Sequence, residues 1–428
     1  MFDKLKISEL PVLTREAPSG PSALDGLRVV DFTHFLAGPL ATQMLADFGA
    51  EVIKIEPPGR GEDFRFYPPH DREMGAYGGG APFLWANRNK KSIALDIKSA
   101  AGLEVAKDLI RSADVLVENF STGVMERFGL DYEFCAKLNP RLIYCSISAY
   151  GRQGSFCDRS GLDAVVQAES GFMSMNGYPD RPGVRSGPVV MDMATSMMAG
   201  NAILLALFAR ERNRMGQKVE ISLFDTAMTM TGFATMQHLT SGAEPQRHAN
   251  VSPDTCPTGV FATADREVYI ACGNDKIFQR LFTNVINRPD IANNIEFSSN
   301  AKRGAHRDFI FSVISEEFAK HPWDYWSRKL RAAAIPCGLV RTLSEALASD
   351  EARERNLVGR IEHPLIGWIP NISSPLRLEG TPALDARAAP FLGQHTLEVF
   401  SQVLGYDQER IAEIEASGAC GKRQHLTS

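Results

Sequence analysis

The sequence has no C-x-x-C pair: its cysteines, Cys135, Cys145, Cys157, Cys256, Cys272, Cys337 and Cys420, are odd in number and scattered over 428 residues. That spacing excludes a zinc ribbon and argues against a disulfide framework, so a reducing, cytoplasmic compartment and no metal site are expected. Runs of Lys and Arg interleaved with aromatics are also missing, and the net charge is -5. A nucleic-acid groove therefore has no electrostatic basis, and a small-molecule partner fits better. Residues 1–22 lack an apolar core and carry Asp3, Lys4, Lys6 and Glu9, so they read as a surface arm and not as a signal peptide. The most apolar stretch, Ala194 to Ala209, is broken by Ser196, Gly200 and Asn201. It falls short of a bilayer span, so a buried helix and no membrane association are expected.

Several catalytic signatures are absent as well. The turn Thr33-His34-Phe35-Leu36-Ala37-Gly38-Pro39 has one glycine where a dinucleotide fingerprint needs three. A helix starting near Pro39 still offers free N–H groups to an anion without a glycine-rich cradle. The cluster Gly78-Gly79-Gly80 runs into Ala81-Pro82, with no lysine to reach a phosphate, and reads as a loop. Neither G-x-S-x-G nor H-E-x-x-H occurs, which leaves serine-hydrolase and zincin chemistry without support. Isolated histidines such as His238 and His363 read as structural.

What is present is an alternation. Arg28–Thr33 reads as a buried strand, Pro39–Phe48 as a helix with proline in its first turn, and Glu51–Ile55 as a second strand. Ser92–Leu95, Val115–Glu118 and Leu142–Ile147 continue as strands, with helices at Gly102–Ser112 and around Thr122–Phe128. The class is α/β with a mostly parallel sheet. From Val251 the texture changes to short strands at Val260–Thr263 and Glu267–Cys272, with helices at Lys276–Val285 and His306–Phe318, which indicates a smaller α+β domain. Ile335–Val340 is a candidate strand, and helical patterns close the chain at His395–Leu404 and Gln408–Ala416. A chain of this length exceeds what one core supports.

The segment LDGLRVVDFTHFLAGPLATQMLADFGAEVIKIE at Leu24–Glu56 resembles the opening of family III CoA-transferases, the group that holds formyl-CoA:oxalate and carnitine CoA-transferases. The resemblance continues through Asn89–Lys98, Ala113–Leu130, Gly161–Gly183, Gly216–Asp225 and Ala334–Val340. It implies a large, doubly wound domain built from both chain ends, a smaller middle domain, and an interlocked homodimer. The corresponding division is an arm at 1–22, a first part of the large domain at 23–215, a linker and small domain at 216–333, and a return at 334–428, with two domain crossings. No tightly bound cofactor is implied. Acyl-CoA and a carboxylic acid would be the substrates.

Two aspartates compete as nucleophile, Asp180 in the turn Gly177–Pro182 and Asp192 after the apolar run Pro188–Met191. The resemblance selects Asp192, because the family's reactive aspartate follows such a run and precedes a long apolar helix. On residue type alone Asp192 would cap that helix, with the free N–H groups keeping its carboxylate ionised. Aspartate suits CoA exchange. Its attack on a thioester yields an anhydride that stays activated, where serine would yield a stable ester. Carried over position by position, His34, Phe35, Ala37, Leu95, Lys98, Asn119, Phe120 and Arg127 would contact CoA, and Tyr150 would approach the same site. Arg65, in the stretch resembling the acyl-site loop, is the candidate grip for a distal carboxylate.

Departures from the family pattern bear on substrate. Pro57 replaces an arginine of the formyl-CoA:oxalate branch, and Leu162-Asp163 replaces its tyrosine and glutamate. Residues Asn250–Pro257 replace its run of four glycines, so that substrate pair is not preferred; a short dicarboxylate with succinyl-CoA as donor is. Two other functions stay open. The related α-methylacyl-CoA racemases place a histidine where this chain has Leu162, and only a racemase would exchange an α-proton with deuterated buffer. A catalytically silent CoA-binding protein would form no covalent adduct with succinyl-CoA.

Overall fold

The computed structural model describes residues 7–13, 20–69 and 79–421; parts of the expected arm, at 1–6 and 14–19, and Gly78 of the glycine cluster lie outside them. The chain forms two compact units. One holds Met1–Ser170, Ser186–Met236 and Asp350–Ser428, and the other Gly171–Arg185 and Gln237–Ser349.

The first unit is built on a six-stranded sheet of β1 (Arg28–Asp31), β2 (Glu51–Glu56), β3 (Lys91–Ala94), β4 (Val115–Glu118), β5 (Ile143–Ser148) and β6 (Gln217–Ser222), in the order β3-β2-β1-β4-β5-β6. All neighbouring pairs are parallel. Strands such as EVIKIE and IYCSIS are buried along nearly their whole length, polar members included, which suits strands covered on both faces. Val30, Ile53, Leu116, Val105 and Leu109 share one core with Val399, Phe400 and Ile414 from the far end of the chain. The chain steps outward from β1 to β3, then returns to place β4 on the other side of β1. Connections leaving β1 and β4 diverge at that reversal, and a crevice opens at the carboxyl ends of the strands.

The second unit is α+β. Its sheet pairs β7 (Thr258–Ala262), β8 (Glu267–Ala271) and β9 (Cys337–Leu339) antiparallel, over a core that includes Phe261, Ile270, Phe282, Phe318 and Trp326.

The division differs from the expected one in three places. Residues 217–222, expected in the linker region, are the edge strand of the large sheet, paired with β5 from Ile143↔Gln217 to Ser148↔Ser222. A Cβ at Gly216 would lie 2.1 Å from the Leu142 carbonyl oxygen, so glycine is what lets this strand enter beside β5. Cys337–Leu339 belongs to the second unit's sheet, not to the return, because its partner is β8. Gly171–Arg185 also belongs to the second unit, so the chain passes between units four times, at 170/171, 185/186, 236/237 and 349/350, where two crossings were expected.

The apolar stretch is longer than its pattern suggested. It lies in a helix, Val190–Asn213, whose 24 residues are long and apolar enough by length and composition to cross a membrane. Packing holds it in the first unit: Met191, Ala199, Ile203 and Ala206 are buried, it lies against the helix Ala37–Asp47, and buried Arg210 donates to Asp114 at 2.9 Å. Met197, Leu205 and Phe208 on the same helix remain exposed.

Candidate active site

A cavity of about 260 Å³ lies in the first unit, at the point where the strand order reverses. Its walls are His34–Ala37 after β1, Asn119–Thr122 after β4, Ile147 and Ser148 at the end of β5 with Ala149 and Arg152 beyond it, then Cys157–Leu162, Asp192 and Leu223.

The post-β1 turn is held from beneath. Asp31, fully buried, accepts from the Thr33 N–H at 2.8 Å and the Thr42 hydroxyl at 2.7 Å and pairs with Lys90 at 3.0 Å. Phe35 adopts a left-handed φ of 60°, which costs a residue with a Cβ about 1–2 kcal/mol. Its N–H donates to Glu62 at 2.7 Å, and Glu62 is itself paired with buried Lys54 at 2.8 Å. Across the crevice, the His34 N–H donates to Asn119 Oδ1 and Asn119 Nδ2 donates to the His34 carbonyl, both at 2.9 Å. This clasp fixes the two loops against each other. Burial and the nearby Lys54 charge lower the His34 pKa, so its ring is neutral.

Asp192 is the third residue of its helix, whose N-cap is Val189, and so it is not the cap its sequence position suggested. The capping acceptor comes from elsewhere. Asp163 Oδ2 accepts from the N–H groups of Met191 at 2.7 Å and Asp192 at 3.2 Å, while its Oδ1 accepts from Gln167 Nε2 at 2.6 Å. The helix-start N–H groups therefore face Asp163, and the Asp192 carboxyl lines the cavity without them. Burial, with the Asp163 charge added, pushes its pKa up to about 7. The expectation that the helix start holds Asp192 ionised is overturned. A poorly solvated carboxylate of raised basicity is, however, the better nucleophile once deprotonated.

Of the other expected residues, His34, Phe35, Ala37, Asn119 and Phe120 meet Asp192 at this cavity. Tyr150 flanks it, with its hydroxyl donating to Glu169 at 2.5 Å and its ring 4.9 Å from the Arg159 guanidinium. Leu95 is a core residue, and Lys98 and Arg127 are exposed; none of the three lines the cavity. Asp180 is exposed in a turn of the second unit.

Arg65 is not a substrate grip. It is fully buried, donates through Nε and Nη2 to Glu56 at 2.6 Å each, reaches the Pro390 carbonyl, and stacks on Phe83 at 3.8 Å. Glu56 ends a buried strand, and without Arg65 it would lose its directly paired cation and keep only the Ser92 hydroxyl, the Glu62 N–H and the nearby Lys54 charge.

Three residues at or beside the cavity escaped the sequence reading: Asp163, Arg152 and Arg159. Asp163 was visible only as a departure from a family pattern. For Arg152 a signal existed, since Glu118 closes the buried run VLVE and such a carboxylate needs a cation. Arg152 supplies it, at 3.0 and 3.1 Å. Among the described residues no cluster of three or more His, Cys, Asp or Glu could hold a metal ion.

The model of CoA-transferase family III matches residues 24–396. A succinate–glutarate CoA-transferase of Agrobacterium fabrum is 36% identical over 91% of this chain and 97% of its own length. An acetyl-CoA:oxalate CoA-transferase of Acetobacter aceti is also 36% identical, over 88% of this chain and 96% of its own. Among solved structures, a CaiB/BaiF family protein from Brucella suis superposes with a TM-score of 0.79 at 33% identity, covering 90% of this chain and all of that one.

Proposed function

The chain belongs to CoA-transferase family III, and from that premise we propose that it moves coenzyme A from an acyl-CoA donor to a carboxylic acid with Asp192 as nucleophile. The observation that carries this reading is the Asp192 carboxyl, raised to about 7, lining a cavity at the switch point of a parallel sheet.

The Asp192 carboxylate attacks the donor's thioester carbonyl, the C–S bond breaks, and CoA thiolate leaves behind an aspartyl–acyl anhydride. The thiolate then attacks the aspartyl carbonyl, releasing the donor acid and forming an aspartyl–CoA thioester. An acceptor carboxylate attacks that thioester in turn and expels CoA thiolate, giving a second anhydride. Attack of the thiolate on its acyl carbonyl yields the new acyl-CoA and regenerates Asp192. Water would hydrolyse each intermediate, so the buried setting of Asp192 is part of the chemistry. Their place in the same cavity lining as Asp192 supports His34, Phe35, Ala37, Asn119 and Phe120 as the CoA contacts.

A short dicarboxylate acceptor with succinyl-CoA as donor is supported by the relative that acts on succinate and glutarate. Leu162, which lines the cavity, offers no base to oppose Asp192, and this disfavours α-proton exchange. The exposed apolar face of Val190–Asn213, with Leu205 70% and Phe208 60% exposed, supports pairing with a second copy in an interlocked homodimer. An intact monomer in sedimentation at low concentration would refute the dimer. Incubation with succinyl-CoA followed by intact-mass and peptide analysis tests the mechanism: a CoA or succinyl adduct on Asp192 is expected, absent from Asp192→Ala. Transfer without any Asp192 adduct, or transfer by Asp192→Ala at the parent rate, would overturn it.

A further inference from the structure

Resting on the CoA-transfer reading of this cavity, we propose that Arg159 receives the distal carboxylate of the acyl or acceptor acid and so selects dicarboxylates. Once Arg65 is buried in its pair with Glu56, two arginines remain in the cavity lining. Their circumstances differ.

Arg152 is committed. Its Nε donates to Ser146, its Nη1 to Thr122, and its Nη2 to both Glu118 oxygens and the Ile147 carbonyl. With its side chain 10% exposed and both Nε and Nη2 fully engaged, it keeps at most one Nη1 N–H for a ligand and cannot offer the two-pronged contact a carboxylate takes. Its role is to neutralise buried Glu118.

Arg159 is held but not consumed. Its side chain is 46% exposed, and its Nη2 donates to Glu169 Oε1. Among the described residues the guanidinium has no other hydrogen-bond acceptor, although it carries five N–H donors. Its orientation is fixed by the Tyr150 ring at 4.9 Å and by Glu169. The Tyr150 hydroxyl anchors Glu169 in turn, at 2.5 Å, and holds its carboxyl below the usual range, so it stays ionised. A planar donor set already oriented on a cavity that also contains the nucleophile suits a second carboxylate on the same acid. Neutral His34 cannot provide that charge. A plain fatty acid would place a methyl group against the guanidinium and gain nothing from it.

The test compares kcat/KM for glutarate and pentanoate as acceptors from one acyl-CoA donor, in the parent enzyme, Arg159→Gln and Arg159→Lys. Loss of one charge-assisted contact predicts that Arg159→Gln lowers glutarate's advantage over pentanoate about 10–100-fold, mainly through KM for glutarate. Arg159→Lys, which keeps the charge and loses the planar fork, is expected to fall between. The KM for acetyl-CoA separates the other source of anionic charge. If Arg159→Gln raises KM for every acyl-CoA alike, a CoA phosphate occupies this position and the proposal is overturned. An unchanged glutarate-to-pentanoate ratio overturns it too. Absence of transfer to either acid by the parent enzyme would overturn the CoA-transfer reading, and the assignment of Arg159 with it.

Discussion

Asp31, fully buried, and Asp192, partly buried at the cavity, lie in the same unit, yet their environments drive them in opposite directions. Burial disfavours the charged form of each. At Asp31 that effect is overcome by Lys90, by Lys54 and by the hydroxyls of Thr33 and Thr42, which hold the carboxyl well below the usual range. At Asp192 no cation answers, the neighbouring charge is Asp163, and the pKa climbs to about 7. Asp31 is stably ionised and ties the post-β1 turn together. Asp192 is kept short of partners, and in the proposed mechanism that shortage is what makes its carboxylate reactive.

The comparison is broken most severely by removing the proposed nucleophile. Asp192→Asn is expected to reduce CoA transfer on the order of 10⁴-fold or more, because a covalent route is lost outright, while Asp180→Ala stays near the parent rate. A steady-state assay with succinyl-CoA and glutarate measures both. Near-parent turnover in Asp192→Asn would remove the assignment.

Next in size is the loss of a satisfied buried charge. Asp31→Ala strips Lys90 of its carboxylate, and Arg65→Met strips Glu56 of its guanidinium; each is expected to cost about 3–5 kcal/mol in urea unfolding. Arg65→Met should leave the preference for dicarboxylates over monocarboxylates intact in the protein that folds. A change in that preference without a stability loss would return Arg65 to the substrate site.

Stability should move the other way at Asp192. Its folded pKa lies above the ordinary aspartate value, so the folded state binds the proton more tightly, and stability falls as pH rises from about 4 to about 7. Asp192→Asn is therefore expected to be more stable than the parent by about 1–3 kcal/mol at pH 8, with the gap closing toward pH 4. Equal unfolding midpoints at both pH values would show that the carboxylate carries no such penalty.

The smallest effect sharpens the cause. Attack requires the ionised carboxyl, so kcat/KM should rise with pH through about 7. Asp163→Asn keeps an oxygen to accept from Met191 N–H but removes the charge, and the acid limb is expected to move to lower pH. Should the limb stay in place, burial alone sets the Asp192 pKa.

Much of the large sheet was legible because its strands carry short clusters of β-branched and apolar residues between helical patterns. Val115–Glu118 was read at its observed limits, and Arg28–Asp31 and Glu51–Glu56 to within two residues. The middle unit was legible as a change in texture, and its edges were not. QKVEIS and CGL are each short enough to join either sheet, and their partners, β5 and β8, lie far away in sequence. At the site, residue type and family pattern brought out Asp192 and the loops after β1 and β4. They could not say that Arg65 would be consumed by Glu56, since an arginine in a loop looks the same whether it faces solvent or a buried carboxylate.

The sequence by itself determined the alternation of strands and helices through Leu142–Ile147, the covalent chemistry available to an aspartate ahead of a long apolar helix, and the family. Periodicity and motif are local along the chain, and these are local properties. Only the tertiary structure decided which charges would be spent and which kept available. The fold brought Asp163 to the start of the helix that carries Asp192, Glu56 onto Arg65, and Glu118 onto Arg152, leaving Arg159 with donors to spare. A pKa or an available guanidinium depends on neighbours within a few ångströms, and which side chains come that close is set by how strands and loops pack.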